Sequence, residues 1–354
     1  MNAAERQQER AEIMKRIETA KDALGKSLII LAHFYQEDDI VRYADVVGDS
    51  LQLAHAASVQ KDARYIVFCA VSFMAEMARI ICSPEQEVLH PEPDARCPLA
   101  DMAAIEKVEA AFEGLKATGK KRIIPVVYVN SNADLKAFCG RNGGLVCTSS
   151  NAEKVFRYVF SQGESLFFFP DENLGRNTAR RLGIGDDEIV IKDPSSMSDE
   201  TGKGYIEKAK IFLWKGHCYV HTEFLPSDIA RVKDRYDGIK IVVHPECTPE
   251  VVSLSDYAGS TAFIKDIVER SGPGTKWAIG TELNFVKRIK DGNPDKLVVP
   301  LRESGCSDMS KVTPQKLLTV LEGLLDNRYP GRVAVEDGVS KDAKKALERM
   351  LEVS

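Results

Sequence analysis

The sequence predicts an α/β protein with three homologous three-layer domains, whose parallel sheets are arranged around a pseudo-threefold axis. The main observation is a unit of strand, helix, strand, helix, strand that occurs three times in the 354 residues. Short connections between such elements indicate parallel βαβ packing. A second observation is that each unit ends with a cysteine beyond its third apolar run, at Cys97, Cys218 and Cys306.

The first apolar run of each unit ends in two polar residues with one residue between them. The runs are SLIILAHFY with His33 and Tyr35, RIIPVVYVN with Tyr128 and Asn130, and IKIVVHPE with His244 and Glu246. The carboxyl ends of parallel strands lie at one edge of a sheet, where α/β proteins bind their ligands. We therefore expect these polar side chains to line a pocket.

A Ser or Thr lies beside the start of the next predicted helix in every unit. These residues are Ser50 in GDSLQLAHAA, Ser149 and Ser150 in CTSSNAEKVF, and Ser260 and Thr261 in GSTAFIKDIV. The common role of such residues is to cap the helix. Three helix amino termini directed at one cavity also favour anionic groups, so we expect carboxylates and phosphate as ligands.

The spacing of these features supports internal repetition. Eighteen residues separate Ser50 from Phe68, Ser150 from Phe168, and Ser260 from Ala278. From the helix start to the terminal cysteine there are 47 residues in the first unit, 69 in the middle unit and 46 in the third. We assign the extra residues of the middle unit to an insertion at residues 183–205, in which PSSMSDETGKG is either an exposed flap or a partner contact. A Gly-rich bulge at residues 139–144 accounts for the 21 residues from Tyr128 to Ser149, against 17 and 16 in the other units.

The repeats divide the chain into four segments. Residues 1–106 form the first α/β repeat with an N-terminal helix, and residues 107–226 form the second repeat with its insertion. Residues 227–325 form the third repeat, and residues 326–354 form a C-terminal helical extension. The two terminal segments have the pattern of amphipathic outer helices with solvated charges.

Composition excludes several classes of protein. The net charge is −5 and the pI near 5.8, and no basic stripe with interleaved aromatic residues is present, so nucleic acid is not an expected partner. No run approaches the ~18 apolar residues of a membrane span, and the amino end does not resemble a signal peptide. We expect a soluble, cytoplasmic protein without a membrane partner.

Eight cysteines in a cytosolic chain do not indicate a disulfide framework. We interpret Cys69 and Cys82 as core residues, Cys139 as incidental, and Cys147 and Cys247 as pocket wall. The equivalent positions of the three terminal cysteines favour ligands over unrelated loop residues. Zinc usually takes closely spaced ligand pairs, and no CxxC occurs. Three distant thiolates suit a [4Fe-4S] cluster with one open iron, which can act as a Lewis acid.

The six histidines divide in the same way. His55 and His90 have no repeat partner and are interpreted as structural or surface residues. His217, next to Cys218, is interpreted as a neighbour of the cluster or as exposed. His33, His221 and His244 are candidates for the pocket, because they lie at strand ends or just beyond a ligand cysteine.

Taken together, the ordered motifs resemble the quinolinate synthase family, iron–sulfur enzymes of de novo NAD synthesis. The similarity extends from about Leu28 to Leu325. It rests on AHFYQ, GDSLQLA, FMAE, ARCPLADM, YVN, VCTSSNA, PDENLG, GHCYVH, HPEC, GST, IGTE and GCSDM. The resemblance implies three α/β domains around a central [4Fe-4S] cluster held by Cys97, Cys218 and Cys306.

The resemblance also implies a reaction and a pocket. Iminoaspartate and dihydroxyacetone phosphate would condense to quinolinate with loss of phosphate and two waters, which implies a functional link to an L-aspartate oxidase. Glu246 and Tyr35 are the expected acid/base pair, assisted by His33 and His244. The residues that line the pocket by this resemblance are His33, Tyr35, Ser50, Tyr128, Asn130, Ser149, His221, His244, Glu246, Ser260 and Thr261.

Two other functions remain open from the residues alone. One is an iron–sulfur dehydratase for another hydroxyacid. The other is an iron–sulfur sensor of oxygen or iron. A sensor would not need His33, Tyr35 and Glu246 at the ends of strands, and no DNA-binding segment supports this function.

Overall fold

The computed structural model describes residues 3–120, 122–162, 165–193 and 203–353. It contains three parallel sheets with helices, which confirms the predicted α/β class. The strands are β1 (Leu28–His33), β2 (Val46–Gly48), β3 (Tyr65–Cys69), β4 (Glu87–Leu89), β5 (Ile123–Tyr128), β6 (Leu145–Cys147), β7 (Ser165–Phe169), β8 (Ile189–Lys192), β9 (Ile211–Trp214), β10 (Lys240–Val243), β11 (Tyr257–Ala258), β12 (Lys276–Gly280) and β13 (Leu297–Pro300).

The helices range from single turns to more than five turns. They are α1 (Ala3–Leu24), α2 (Asp38–Val41), α3 (Ser50–Val59), α4 (Ser72–Ile81), α5 (Pro98–Asp101), α6 (Ile105–Ala117), α7 (Ala133–Arg141), α8 (Ala152–Ser161), α9 (Glu172–Arg181), α10 (Lys203–Lys208), α11 (Tyr219–Thr222), α12 (Pro226–Arg235), α13 (Pro249–Leu254), α14 (Thr261–Glu269), α15 (Leu283–Gly292), α16 (Pro314–Leu325) and α17 (Asp337–Val353).

The strand order repeats in the three sheets. It is β2-β1-β3-β4 in the first, β6-β5-β7-β9-β8 in the second and β11-β10-β12-β13 in the third. Their registers also correspond, because Ala32 pairs with Cys69, Val127 with Phe169 and Val243 with Gly280. The residues that follow in the first strands are His33, Tyr128 and His244, so these three occupy equivalent positions, as the sequence pattern predicts.

The fifth strand of the second sheet comes from the predicted insertion. β8 pairs in parallel with β9 and lies at the edge of the sheet. The described start of the insertion is therefore part of the sheet. Residues 194–202 of the insertion lie outside the described part of the chain.

The predicted bulge at residues 139–144 is wrong. Cys139, Gly140 and Arg141 form the last turn of α7, which has nine residues, whereas α2 has four and α13 has six. The extra length is therefore helical. Gly140 is required by packing rather than by a turn, since a Cβ there would lie 1.9 Å from the carbonyl oxygen of Asp342 at the start of α17.

The chain forms two compact units. The first contains Met1–Arg96 and Cys306–Val335, and the second contains Cys97–Gly305 and Glu336–Ser354. In the first unit, α1 and α16 lie side by side over the first sheet, and Ile17 and Leu321 are fully buried in their shared core. The predicted outer helix at the amino end is thus present. The bounds of the three predicted domains stay a prediction.

The second unit contains the other two sheets. β7 contributes three consecutive fully buried phenylalanines, Phe167 to Phe169, and Phe167 lies against Phe112 and Trp214. Helix α17 packs on α7 through a buried apolar face. In the described ranges, no helix combines the length and apolar character needed to cross a membrane.

Candidate active site

Glu246 lies at the centre of a buried polar cluster in the second unit. It follows β10 and is 2% exposed. Its Oε2 is 2.6 Å from Nδ1 of His221 and 3.4 Å from Nδ1 of His244. The two imidazole rings stack with their centroids 4.3 Å apart and an interplanar angle of 20°. One carboxylate oxygen thus contacts two parallel imidazoles.

Hydroxyl groups hold the far side of both rings. Nε2 of His221 lies 3.0 Å from Oγ1 of Thr281, and Nε2 of His244 lies 3.2 Å from Oγ of Ser149. Each ring thus contacts a hydroxyl oxygen at Nε2 and lies against the Glu246 carboxylate on its Nδ1 side, which restricts its orientation. Tyr128, buried at the end of β5, hydrogen-bonds to the Glu246 carboxylate.

The structure therefore brings five predicted pocket residues into one cluster within the second unit. They are Tyr128, Ser149, His221, His244 and Glu246.

The two histidines keep Glu246 ionised. Burial alone would raise the pKa of Glu246, but the charges of His221 and His244 and the hydrogen bonds from His221 and Tyr128 lower this pKa to about 2. Opposite charges and hydrogen bonds to the charged form both favour a carboxylate. At neutral pH, Glu246 is therefore a proton acceptor.

Asp171 is a second buried carboxyl group near Glu246, and the sequence analysis did not predict it. It is fully buried, and its Oδ1 accepts a hydrogen bond from the N–H of Leu174 at 2.6 Å. Burial and the neighbouring Glu246 carboxylate hold the pKa of Asp171 well above its usual range, although backbone N–H groups of Leu174 and Cys218 oppose this. The pKa values of the two carboxyl groups are thus shifted in opposite directions, an arrangement typical of acid/base sites.

His33 and Tyr35 form a similar arrangement in the first unit. The N–H of Tyr35 donates to Nδ1 of His33 at 3.1 Å, and the two rings meet edge to face with centroids 4.6 Å apart. In the third repeat the N–H of Glu246 donates to Nδ1 of His244 at 3.4 Å. The pattern of histidine, one residue and acid or phenol therefore has the same local geometry in both repeats.

The residues at the helix starts differ in their roles. Ser260 is the N-cap of α14, and its hydroxyl accepts from the N–H of Phe263 at 3.3 Å. Ser50 is the first residue of α3, which is capped instead by Asp49. Ser149 lies before the N-cap of α8, Asn151, and its hydroxyl contacts His244. The capping interpretation thus holds for Ser260 among these three.

Two other predicted pocket residues, Asn130 and Thr261, lie near the ends of their elements. Asn130 is half-buried two residues beyond the end of β5, and Thr261 is buried as the first residue of α14.

The three predicted ligand cysteines share one local structure. Cys97, Cys218 and Cys306 are half-buried, and each begins a single helical turn. Their carbonyl oxygens accept from the N–H four residues later, at Asp101 (3.2 Å), Thr222 (3.1 Å) and Ser310 (3.3 Å). Cys97 and Cys218 belong to the second unit and Cys306 to the first.

The other five cysteines are fully enclosed. Cys69, Cys82, Cys139, Cys147 and Cys247 are all buried. Burial raises the pKa of the Cys69 thiol to about 12 and raises the pKa of Cys139, Cys147 and Cys247 as well. Thiolates are the form that binds metal. The enclosed thiols are therefore poor ligands, and the three half-buried ones provide a donor set that fits an iron–sulfur cluster.

Cys218 also adjoins the Glu246 cluster. Its Sγ, a ring nitrogen of His221 and a carboxylate oxygen of Glu246 lie within 4.8 Å of one another, a spacing at which they could hold a metal ion. The candidate metal ligand and the candidate acid/base groups thus occupy one region of the second unit.

The remaining histidines agree with their structural interpretation. His90 is buried, and its Nε2 lies 2.8 Å from the carbonyl oxygen of Ala70. Burial lowers the pKa of His90. His55 and His217 are exposed.

The repeat itself contains the signal that would have identified Asp171. This residue is the N-cap of α9, two positions after the end of β7, and Glu282 is the N-cap of α15, two positions after the end of β12. Both carboxyl groups are buried. A buried acid at the same position of two repeats is more than a cap requires. Thr281, which contacts His221, precedes Glu282.

The sequence matches known proteins over nearly its whole length. Residues 15–352 match the model of the family described as Quinolinate synthetase A protein. A quinolinate synthase of Bacillus cereus is 46% identical over 340 residues, covering 96% of this chain and 92% of the relative. That of Geobacillus thermodenitrificans is 44% identical over 345 residues, covering 97% and 94%. That of Acidobacterium capsulatum is 45% identical over 345 residues, covering 96% and 92%.

Proposed function

Because the chain belongs to the quinolinate synthetase A family of enzymes, we propose that it condenses iminoaspartate with dihydroxyacetone phosphate to give quinolinate, phosphate and two waters. The observation that carries this proposal is the buried Glu246 carboxylate, which contacts the Nδ1 atoms of two stacked imidazoles at the carboxyl end of β10. Such a condensation requires proton transfer at carbon and at oxygen.

Cys97, Cys218 and Cys306 are the proposed ligands of a [4Fe-4S] cluster. Their shared helical turn, their partial exposure and the enclosure of the other five cysteines support this choice. When bound by three thiolates, such a cluster supplies one iron without a protein ligand, which acts as a Lewis acid.

Glu246 is the proposed base. Its lowered pKa keeps it ionised at neutral pH, and His221 is close enough to receive a proton from it or return one, at 2.6 Å. His244 lies beside the same carboxylate oxygen, and its ring stacks on that of His221. Tyr35 is the proposed partner acid in the first unit, where His33 holds its backbone N–H.

The anionic groups of both substrates require hydrogen-bond donors. Ser149, Ser260, Thr261 and Ser50 are the proposed donors, since each lies at or beside the start of a helix. Helix amino termini stabilise carboxylate and phosphate through unpaired N–H groups and the helix dipole. Tyr128 and Asn130 are the proposed pocket wall at the end of β5.

The proposed substrates also imply a supplier. Iminoaspartate is the oxidation product of L-aspartate, so an L-aspartate oxidase is the proposed source of this substrate. We propose a cytoplasmic location for both reactions.

The direct test is product formation. Purified chain, reconstituted anaerobically with iron and sulfide, is incubated with iminoaspartate and dihydroxyacetone phosphate, and quinolinate is measured by chromatography and mass. Quinolinate that requires both substrates and the cluster is the expected result. A cluster-loaded protein that forms no quinolinate would contradict the proposal.

A further inference from the structure

A side chain of α9 binds the backbone of the loop that carries Glu246. Nδ2 of Asn177, on α9, donates hydrogen bonds of 2.8 Å to the carbonyl oxygen of Pro245 and of 2.8 Å to that of Cys247. Asn177 is 3% exposed. Its two amide protons thus bind the residues immediately before and after Glu246.

The orientation of the Asn177 amide is determined by these two acceptors. A flipped amide would place Oδ1 against two carbonyl oxygens. In the structure as described, Oδ1 of Asn177 is a buried acceptor without a hydrogen-bond partner. A buried acceptor without a partner costs free energy, and the two hydrogen bonds from Nδ2 offset that cost in this orientation.

Helix α9 is itself rigidly placed. Asp171 caps its first turn, and Gly175 lets it lie close to the sheet, since a Cβ there would come within 2.4 Å of Leu213 on β9 and 2.9 Å of Phe168 on β7. Asn177 lies on the same helix two residues beyond Gly175. The packing of α9 on β7 and β9 therefore fixes the position of Nδ2 of Asn177, which binds the Glu246 loop.

The loop has a reason to move without this restraint. Glu246 is a buried carboxylate close to Asp171, a second buried carboxyl group. Within the turn, the N–H of Cys247 donates to the carbonyl oxygen of His244 at 3.0 Å, and the N–H of Glu246 donates to Nδ1 of His244 at 3.4 Å. Neither of these bonds ties the turn to another helix.

We propose that Asn177 is a positioning residue that holds the Glu246 carboxylate against His221 through the two flanking carbonyl groups. This inference rests on the proposed function of Glu246 as the base. By this inference, α9 of the second repeat supports Glu246, a proposed catalytic group of the third repeat.

The test uses Asn177→Ala, with Asn293→Ala as a matched control. Asn293 is also buried and donates through Nδ2 to a backbone carbonyl, that of Ile289 at 2.8 Å, but it ends α15 and does not contact the Glu246 loop. We expect Asn177→Ala to lower kcat roughly 10- to 100-fold, the usual effect of misplacing a catalytic group, with KM and cluster content near the parental values. Asn293→Ala should keep the parental kcat.

A double variant distinguishes positioning from general loss of structure. If Asn177 acts through Glu246, Asn177→Ala should cause no further loss of kcat in a Glu246→Gln background. A loss that multiplies in that background would overturn the proposal.

Hydrogen exchange gives a readout independent of activity. Peptides covering residues 241–252 should exchange faster in Asn177→Ala than in the parent or in Asn293→Ala. Unchanged exchange there would overturn the positioning role even if kcat fell. If the parental enzyme forms no quinolinate, the proposed function fails, and the exchange comparison still decides whether Asn177 holds the loop.

Discussion

At the scale of single residues, the site depends on surroundings that shift the pKa values of two carboxyl groups in opposite directions. Glu246 contacts two imidazoles and has a lowered pKa, whereas burial and the nearby Glu246 charge raise the pKa of Asp171. The chemistry of each acid is therefore set by the side chains within a few ångströms of it rather than by its residue type.

Glu246→Gln tests the proposed base. The amide keeps the shape of the side chain but cannot accept a proton, so we expect kcat to fall roughly 10²- to 10⁴-fold with near-normal substrate binding and an intact cluster. Anaerobic turnover at matched iron content is the measurement. Turnover at the parental rate would leave Glu246 a binding group and transfer the role of base to His33 or His244.

Asp171→Asn tests the raised pKa. An acid whose pKa is raised by folding stabilises the fold below its unfolded pKa of about 3.9, and this contribution is lost as pH rises through the folded pKa. Asparagine cannot ionise and can still cap α9. The Tm of the parent relative to Asp171→Asn should therefore decrease as pH rises from about 4.5 towards 8. A constant Tm difference across this range, at matched iron content, would show that Asp171 does not have a raised pKa.

At the scale of elements, the first strand of each repeat was predictable from the sequence, because the alternation of side chains along a strand and the position where the strand ends depend on neighbouring residues only. The polar pairs at His33, Tyr128 and His244 depend only on period two and on position along the strand, and the registers place them in equivalent positions. Gly140 was assigned to a bulge because neighbouring glycines usually indicate a loop. The structural reason for Gly140 lies about 200 residues away in α17 and is not visible locally.

Gly140→Ala tests this contact between helices. The new Cβ would lie 1.9 Å from the carbonyl oxygen of Asp342, so α17 must shift, and we expect a loss of about 1–3 kcal/mol in the free energy of unfolding. Gly114→Ala is the control, because it lies inside α6 with no atom within 4 Å of its Cβ. That change should stabilise the protein by about 0.5–1 kcal/mol. Urea unfolding of both variants gives the comparison, and equal effects would show that α17 does not constrain position 140.

At the scale of the whole molecule, three repeats each contribute one half-buried cysteine that begins a helical turn. The internal repeat made these cysteines recognisable, because unrelated loop cysteines would not be expected at the same position of three repeats. Comparison of the repeats does not identify Asn177. This residue of the second repeat binds the backbone of the third, and such a contact leaves no matching residue in the other units.

Serine substitutions test the three proposed ligands. Cys97→Ser, Cys218→Ser and Cys306→Ser should each lose most of the bound iron and sulfide and the activity, because a hydroxyl is a poor substitute for thiolate. Cys82→Ser, at a buried thiol, should retain both. Iron and sulfide analysis of anaerobically purified proteins is the measurement. Full cluster content in Cys306→Ser would remove that residue from the ligand set.

The composition of the first unit has a consequence for synthesis on the ribosome. Its core combines Ile17 of α1 with Leu317 and Leu321 of α16, while the chain between Arg96 and Cys306 belongs to the second unit. At roughly 5–20 residues per second, α16 emerges on the order of 10 to 50 s after the first sheet. During this interval the apolar face of α1 is without its partner, so we expect chaperones to bind the nascent amino-terminal segment until α16 has emerged.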